Sequence, residues 1–120
     1  MKSRRTKATD FNTKEKAKMI ERDNNMCIFC RMGYDTEGAG YYERNIRDYM
    51  HFIPRSKGGL GIAENGALGC RYHHRKLDFG TKDIRARMQD DFREYLKKQY
   101  IDWNEEKLMY NRWEEITENE

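Results

Sequence analysis

Two pairs of potential metal ligands constrain the fold of this chain more than any other feature of its 120 residues. The pairs are Cys27-x-x-Cys30 and Cys70-x-x-His73, and together they use all three cysteines and one of the three histidines. In a C-x-x-C turn both sulfur atoms point to one side, and a second such turn completes a tetrahedral four-ligand zinc site. The spacing therefore predicts a closed structural zinc site that joins residues 27–30 to residues 70–73.

The fourth ligand is ambiguous, because His73 and His74 are adjacent and either imidazole can reach a metal from this segment. Spacing from Cys70 favours His73, and sites with three cysteines and one histidine are ordinary for zinc. The cysteines have two other interpretations, as buried thiols or as a redox pair, but neither accounts for the second pair of ligands. Bound zinc would also add folding free energy to a small core.

The composition indicates one small domain over residues 1–120. Charged residues make up 38% and hydrophobic residues 37%, with a mean hydropathy of -1.18, which lies near the polar limit for a compact core. An aromatic content of 12% favours an ordered chain.

No apolar run is long enough for a membrane span or a signal-peptide core, so we expect a cytoplasmic, reducing location, without disulfides and without membrane association.

The charge is unevenly distributed along the chain. The net charge of +3 is too small to identify a nucleic-acid partner. Residues 1–22, however, are rich in lysine and arginine, whereas the last twenty or so residues are mostly acidic. Residues 1–10 are accordingly predicted to be a flexible basic arm. Two interpretations of this end remain, a phosphate-binding arm and an ordinary solvated charge cluster.

The first half of the chain has the patterns of a helix, a hairpin and a strand. Asn12 and Glu15 resemble a capping box, which predicts a helix over residues 13–22. Residues 26–34 alternate around a tight turn, as in a hairpin. Residues 41–53 contain the aromatic and β-branched residues typical of a strand.

The second half continues with a loop, a short strand and two helices. The glycine-rich stretch 54–65 predicts a loop, and residues 66–70 a short returning strand. Residues 71–79 contain no helix breaker and are predicted to be helical. Apolar residues at helical spacing then predict an amphipathic helix over residues 82–98.

Residues 82–120 as a whole are predicted to be a helical C-terminal extension. Asp102 and Glu105 resemble a further helix cap. A last apolar face would be supplied by Met109, Trp113 and Ile116. Taken together, the elements predict an α+β fold with helices before and after a small strand-containing core.

A second potential metal site involves His74 and Asp78, which are four residues apart on the predicted helix 71–79. Residues at i and i+4 share a helix face, with Cβ atoms about 5–6 Å apart. An imidazole and a carboxylate in this arrangement can chelate one divalent ion and leave its other positions to water and substrate. The alternative is an ordinary pair on a solvated helix face.

Three stretches together resemble the HNH endonuclease family. They are MHFIPRSKGG at 50–59, ENGALGC at 64–70 and CRYHHRKLD at 70–78, and the likeness covers roughly residues 25–80. The resemblance implies a ββα-metal (His-Me finger) core, in which a β-hairpin and a helix hold one metal ion, together with a zinc knuckle. It also implies a bacterial or phage-encoded protein.

The resemblance implies roles for individual residues of this chain. His51 would be the general base that deprotonates water, and Asn65 would orient or brace it across the loop. His74 and Asp78 would bind a catalytic Mg²⁺ or Mn²⁺ ion. The implied reaction is hydrolysis of DNA phosphodiester bonds, leaving a 5′-phosphate and a 3′-hydroxyl.

The chain departs from the family pattern at Met50. Many family members have a histidine or aspartate there as a further metal ligand, whereas a thioether is poorly matched to Mg²⁺. The metal site is therefore expected to be weaker. Asp48 shares a strand face with Met50, but it lies about 6.6 Å further along and is a poor substitute by that criterion.

Basic residues surround the predicted catalytic residues and are candidates for phosphate contacts with double-stranded DNA, the substrate that the resemblance implies. These residues are Arg55, Lys57, Arg71, Arg75 and Lys76. They can equally be solubility charges. Two other functions fit parts of the sequence: a zinc-ribbon nucleic-acid-binding module without turnover, and a small disulfide-linked structural protein.

Overall fold

The computed structural model of the chain describes residues 2–111. Within them, two strands and the two helices that follow them form the centre of the domain, and four further helices precede the strands. In chain order the elements are α1 (Arg4–Thr9), α2 (Thr13–Arg22), α3 (Ile28–Arg31), α4 (Tyr41–Asn45), β1 (Arg47–His51), β2 (Gly66–Cys70), α5 (Arg71–Phe79) and α6 (Lys82–Gln99). The predicted α+β class is confirmed. No helix among residues 2–111 is both long and apolar enough to cross a membrane.

The strands β1 and β2 form an antiparallel pair, and α5 follows β2 directly. Arg47 pairs with Cys70 at one end of the ladder and His51 with Gly66 at the other. Every residue of β2 is buried, so this strand is covered on both faces. The predicted strand 66–70 and helix 71–79 are confirmed, and the β–β–α order places the end of β1 beside α5.

The predicted helices over residues 13–22 and 82–98 are also confirmed. Helix α2 spans Thr13–Arg22, and Asn12 caps it by accepting a hydrogen bond from the Glu15 amide at 2.9 Å. The Glu15 side chain does not complete a capping box, because it accepts a hydrogen bond from the Ala63 amide at 2.9 Å instead. Helix α6 runs to Gln99, one residue beyond the prediction, and buries an apolar stripe of Met88, Phe92 and Leu96.

Two predictions of extended structure were wrong. Residues 26–34 contain the helix α3, because the Cys27 thiol caps a helical turn by accepting from the Cys30 amide. Residues 41–45 form α4, and only Arg47–His51 of the predicted strand pairs as a β-strand. Tyr41 and Tyr42 are 70% and 76% exposed, so these two aromatic residues have no sheet face to pack against.

The C-terminal extension is less helical than predicted. After α6, the described chain contains only a short 3-10 helix, Glu105–Leu108. Asn104 caps it, not Asp102, by accepting from the Glu106 amide at 3.0 Å. The predicted apolar face at Trp113 and Ile116 lies outside the described residues.

The prediction of a flexible arm over residues 1–10 is corrected, because α1 occupies Arg4–Thr9 and the segment packs on the domain. Ser3 caps α1, and Thr9 is buried. The backbone fits closely against the glycine-rich loop, where the Gly61 amide donates to the Ala8 carbonyl at 2.9 Å. A Cβ atom on Gly61 would lie 2.1 Å from the Asp10 carbonyl oxygen, so only glycine permits this approach.

A buried ion pair connects the helices to the sheet. Asp23 is fully buried and accepts hydrogen bonds from the Leu68 amide at 2.9 Å, from Arg22 and from the Tyr95 hydroxyl. The Arg22 guanidinium also donates to the Gly66 carbonyl at 2.6 Å. Burial and the hydrogen bond to Asp23 raise the pKa of Tyr95 to about 12. This network ties α2, β2 and α6 together.

Replacing Asp23 by alanine should therefore destabilise the fold strongly. The substitution leaves the Arg22 charge buried without its carboxylate, which is expected to lower the free energy of unfolding by about 3–5 kcal/mol. Urea denaturation followed by circular dichroism measures the change. The matched control is Asp90→Ala, which removes an exposed partner of Arg93 and should leave the unfolding midpoint nearly unchanged. Equal midpoints for the two variants would contradict the role of Asp23.

Candidate metal centre and cleft

The four predicted ligands of the first site lie together. The ligand atoms of Cys27, Cys30, Cys70 and His73 are all within 4.8 Å of one another. The three sulfur atoms lie 3.4–3.5 Å from His73 Nδ1, and the sulfur atoms of Cys30 and Cys70 are 3.9 Å apart. A tetrahedral zinc ion with ordinary bond lengths requires about 3.6 Å between sulfur and nitrogen and about 3.8 Å between sulfur atoms. This group can hold a metal ion such as zinc.

Local structure explains why both ligand pairs point inward. Cys27 and Cys70 each occupy the N-cap position of a helix, and each thiol accepts from the amide three residues later, that of Cys30 or of His73. The second ligand of each pair therefore lies in the first turn of α3 or α5. The packing of α3 against β2 then brings the two turns together.

The hydrogen bonds around His73 set its tautomer. Its Nε2 donates to the Asp35 carbonyl oxygen at 2.7 Å, because a carbonyl can only accept. Nδ1 is thereby left as the nitrogen available to a metal, and a partner of this kind also orients the ring. A hydrogen bond from Cys27 and the neighbouring His73 lower the pKa of the Cys70 thiol to about 3, so one ligand is readily a thiolate.

The other two histidines line one open cleft of about 570 Å³. His51 lies at the end of β1 and His74 lies on α5, and Asp78 also lines the cleft. The β–β–α arrangement therefore places at one surface the residues that the family resemblance implies are the base and the metal ligands. An adjoining recess shares His51 and Asp78 and extends the cleft along α6.

His51 has a defined tautomer. Its Nε2 lies 2.7 Å from the Thr9 carbonyl oxygen, so Nε2 carries the hydrogen and Nδ1 is a bare acceptor. The ring stacks on Phe11 at a centroid distance of 4.1 Å. Burial of the ring lowers the pKa of His51 below its ordinary value, so the imidazole is neutral at neutral pH.

His74 lies between two carboxylates. Its Nδ1 is 2.9 Å from Asp48 Oδ2, and its Nε2 is 3.4 Å from Asp78 Oδ2. Partial burial raises the carboxyl pKa of Asp48, but hydrogen bonds from Arg71 and His74 outweigh this effect and hold that pKa below its usual value. Asp48 therefore contacts the imidazole of His74, although strand spacing alone had made it a poor candidate for the site.

The side chains of Asn65 and Met50 are both buried inside the domain. The buried Asn65 amide accepts from the Ile53 amide at 2.8 Å and donates to the Leu60 carbonyl at 2.8 Å, which braces the loop that follows His51. Met50 is fully buried, and its side chain would clash with any Cβ atom on Gly69. The family position for a further metal ligand is therefore part of the core in this chain.

Most of the basic residues predicted to contact phosphates have partners within the protein. Arg55 pairs with Asp10, Arg71 with Asp48 and Arg75 with Glu43, and the ammonium of Lys76 lies 4.8 Å from the centre of the Tyr72 ring. Lys57 is exposed in the recess beside α6.

Sequence reasoning missed the N-terminal contribution to the cleft. Lys2, Asp10, Phe11 and Lys16 all line it. The basic character of residues 1–22 was compatible with a phosphate-binding arm or with a solvated charge cluster, and no local pattern indicated that α1 would pack against the end of β1. The contact depends on the close approach at Gly61, which is a long-range feature.

No protein-family model matches the chain, and neither a curated protein nor a solved structure matches it. The resemblance to HNH endonucleases therefore depends on the three sequence motifs alone.

The four-ligand group makes a direct prediction for metal content. The protein is expected to contain one tightly bound zinc ion, and His73→Gln should lose it and melt at a lower temperature, because bound metal contributes folding free energy. Elemental analysis of dialysed protein and thermal melting measure both effects. His51→Gln is the matched control and should retain the ion. Equal zinc content in the two variants would show that His73 is not a zinc ligand.

Proposed function

We propose that this chain is a metal-dependent HNH-type endonuclease that hydrolyses phosphodiester bonds of double-stranded DNA and carries a structural zinc ion. The single observation that carries the proposal is that His51, His74 and Asp78 line one open cleft. These are the residues that the motif resemblance assigns to the base and to the metal ligands. His51 comes from β1 and the other two residues from α5, so the approach of the base to the ligand pair is not a consequence of sequence proximity.

His51 is the general base in this proposal. Because its Nε2–H donates to the Thr9 carbonyl, Nδ1 is the ring atom that accepts the proton of a water molecule. The lowered pKa keeps Nδ1 unprotonated at neutral pH, which is the state that a base requires. Asn65 acts indirectly, by bracing the loop that leaves His51.

His74 and Asp78 are the residues that would hold a divalent ion. The Nδ1–H group of His74 donates to Asp48, which leaves Nε2 as the ligand atom on the side of Asp78. A carboxylate–histidine pair of this kind fixes the tautomer of the ligand and orients its ring. When bound, Mg²⁺ or Mn²⁺ would polarise the scissile phosphate and stabilise the leaving oxygen.

The charge around the cleft is suited to a polyanion. Lys2, Lys16 and Arg55 line the cleft itself, and the recess beside α6 adds Lys57, Lys82 and Arg85. Contacts of these side chains with phosphates would position a duplex without reading its sequence. The internal ion pairs of Arg55, Arg71 and Arg75 mean that each can move to a phosphate only by leaving a carboxylate.

A zinc-containing nucleic-acid-binding module without turnover is the second candidate. It is favoured by one observation: among the described residues, only the Cys27, Cys30, Cys70 and His73 group has three or more potential ligand atoms that all lie within 4.8 Å of one another. The second ion would have fewer protein ligands, because Met50 is buried in the core. The two functions share the zinc site and the basic surface, and they differ in whether His51 supports turnover.

The nuclease proposal predicts cleavage of a supercoiled plasmid in the presence of Mg²⁺ or Mn²⁺. His51→Ala should reduce the rate by roughly 10²–10⁴-fold, because a positioned general base contributes about that factor. Tyr41→Ala, at an exposed side chain outside the cleft, is the control and should cut at the wild-type rate. DNA binding without cleavage by the wild type would instead favour the binding module.

The Asp48–His74 contact predicts a specific metal dependence. Asp48→Asn should raise the Mn²⁺ concentration needed for half-maximal cleavage by about 10-fold or more, because outer partners of metal-bound histidines have effects of that size. Asp90→Asn, at an exposed carboxylate on α6, is the matched control. A Mn²⁺ titration of the cleavage rate distinguishes them, and coincident curves would show that Asp48 does not support His74.

A further inference from the structure

The N-terminal segment, defined here as residues 2–11, forms one side of the cleft that contains His51 and His74. It lies outside residues 25–80, the stretch that the HNH motifs cover. Its position is therefore a property of this chain that the motifs do not supply.

Two contacts join the segment to the His51 ring. The Thr9 carbonyl oxygen accepts from Nε2 at 2.7 Å, and Phe11 stacks on the ring with an interplanar angle of 31°. Thr9 is 3% exposed, so water does not compete freely for this hydrogen bond. A neutral imidazole whose Nε2 carries the hydrogen has a bare Nδ1, and the two contacts together restrict rotation of the ring.

The segment is held in place by the loop that leaves β1. The Gly61 amide donates to the Ala8 carbonyl at 2.9 Å, and the missing Cβ of Gly61 makes room for the Asp10 backbone. A second contact with this loop comes from α1, where the Arg5 guanidinium donates to the Ser56 carbonyl at 3.2 Å. These contacts fix the position of the Thr9 carbonyl relative to the end of β1.

The segment also organises charge at the cleft. The Asp10 carboxylate accepts from Lys2 at 2.8 Å and pairs with Arg55. The hydrogen bond from Lys2, followed by the charge of Arg55, lowers the carboxyl pKa of Asp10. The Asp10 carboxylate thus holds the side chains of Lys2 and Arg55 in the cleft that also contains His51. A phosphate bound in the cleft would approach these two cations.

We infer that the N-terminal segment is a positioning element of the candidate active site, in which the Thr9 carbonyl fixes the tautomer and orientation of His51. Its catalytic consequence rests on the proposed nuclease function. Thr9 acts through its main chain and through another residue, so it is a positioning residue. A side-chain substitution at Thr9 would keep the carbonyl, and the test must therefore move the backbone.

Two full-length variants release the segment by independent routes. Gly61→Ala places a Cβ atom against the Asp10 carbonyl and displaces the backbone of the segment. Arg5→Ala/Asp10→Asn removes the Arg5 hydrogen bond to the loop and the charge by which Asp10 pairs with Arg55. Because neither residue is in the core, this variant provides the test if Gly61→Ala fails to fold. The matched controls are Gly40→Ala, where the added Cβ would meet nothing closer than 3.6 Å, and Arg93→Ala/Asp90→Asn, an ion pair on α6.

The direct readout is the ¹⁵N NMR signature of the His51 ring, which distinguishes a protonated from a bare nitrogen. The wild type and both controls should show a single tautomer with hydrogen on Nε2, and the released variants should show a mixture. In the cleavage assay, the released variants should lose roughly 10- to 100-fold in kcat with little change in KM, because misplacement of a reacting group has effects of that size.

Three results would separate the inference from the proposed function. The inference would be overturned if both released variants folded and still showed a single Nε2–H tautomer. It would also be overturned if the released variants showed mixed tautomers but kept the wild-type kcat. A wild type that cuts no DNA would end the nuclease proposal, whereas tautomer mixing in the released variants would still support the contact between the segment and His51.

Discussion

The convergence of four ligands at one point is the constraint on which the rest of the domain depends. Cys70 is both the last residue of β2 and the N-cap of α5, so the ligand group determines where the strand ends and the helix begins. His74 follows the ligand His73 immediately and therefore faces a different direction, toward Asp48 and Asp78. The first turn of α5 thus contributes His73 to the ligand group, while the next residue, His74, faces the cleft. A metal ion held by this group would stabilise the small core, because binding free energy becomes folding free energy.

Buried polar groups also fix the positions of the elements around the ligand group. The Arg22–Asp23 pair ties α2 to β2, and the Asn65 amide holds the loop between the strands, so the end of β1 has a fixed position. None of the buried side-chain polar atoms among residues 2–111 lacks a hydrogen-bond partner. Such fully paired networks favour a single arrangement of the chain, because an unpaired buried group carries a large free-energy penalty. The geometry of the cleft depends on this rigidity.

The sequence predicted those parts of the fold that local patterns specify. Helix α2 was predicted from its cap, α6 from its apolar periodicity and α5 from the absence of helix breakers, and β2 was predicted as a short strand after the glycine-rich loop. The four ligands follow from the spacing of two turns. Local propensity failed where tertiary contacts decide. Tyr41 and Tyr42 have strand propensity but lie in a helix, and the N-terminal residues looked like a solvated arm although Gly61 admits their backbone. The contact between Asp48 and His74 was also missed, because distance along the strand did not describe how α5 crosses it.

Anomalous X-ray diffraction from crystals grown with zinc and then soaked in Mn²⁺ tests the central claim most directly. We expect a zinc peak about 2.0–2.3 Å from the three sulfur atoms and His73 Nδ1, and a separate manganese peak beside His74 Nε2 and the Asp78 carboxylate, within the cleft lined by His51. A zinc ion bound by His74 in place of His73, or a cleft without manganese, would contradict the division of the two adjacent histidines between a structural and a catalytic metal.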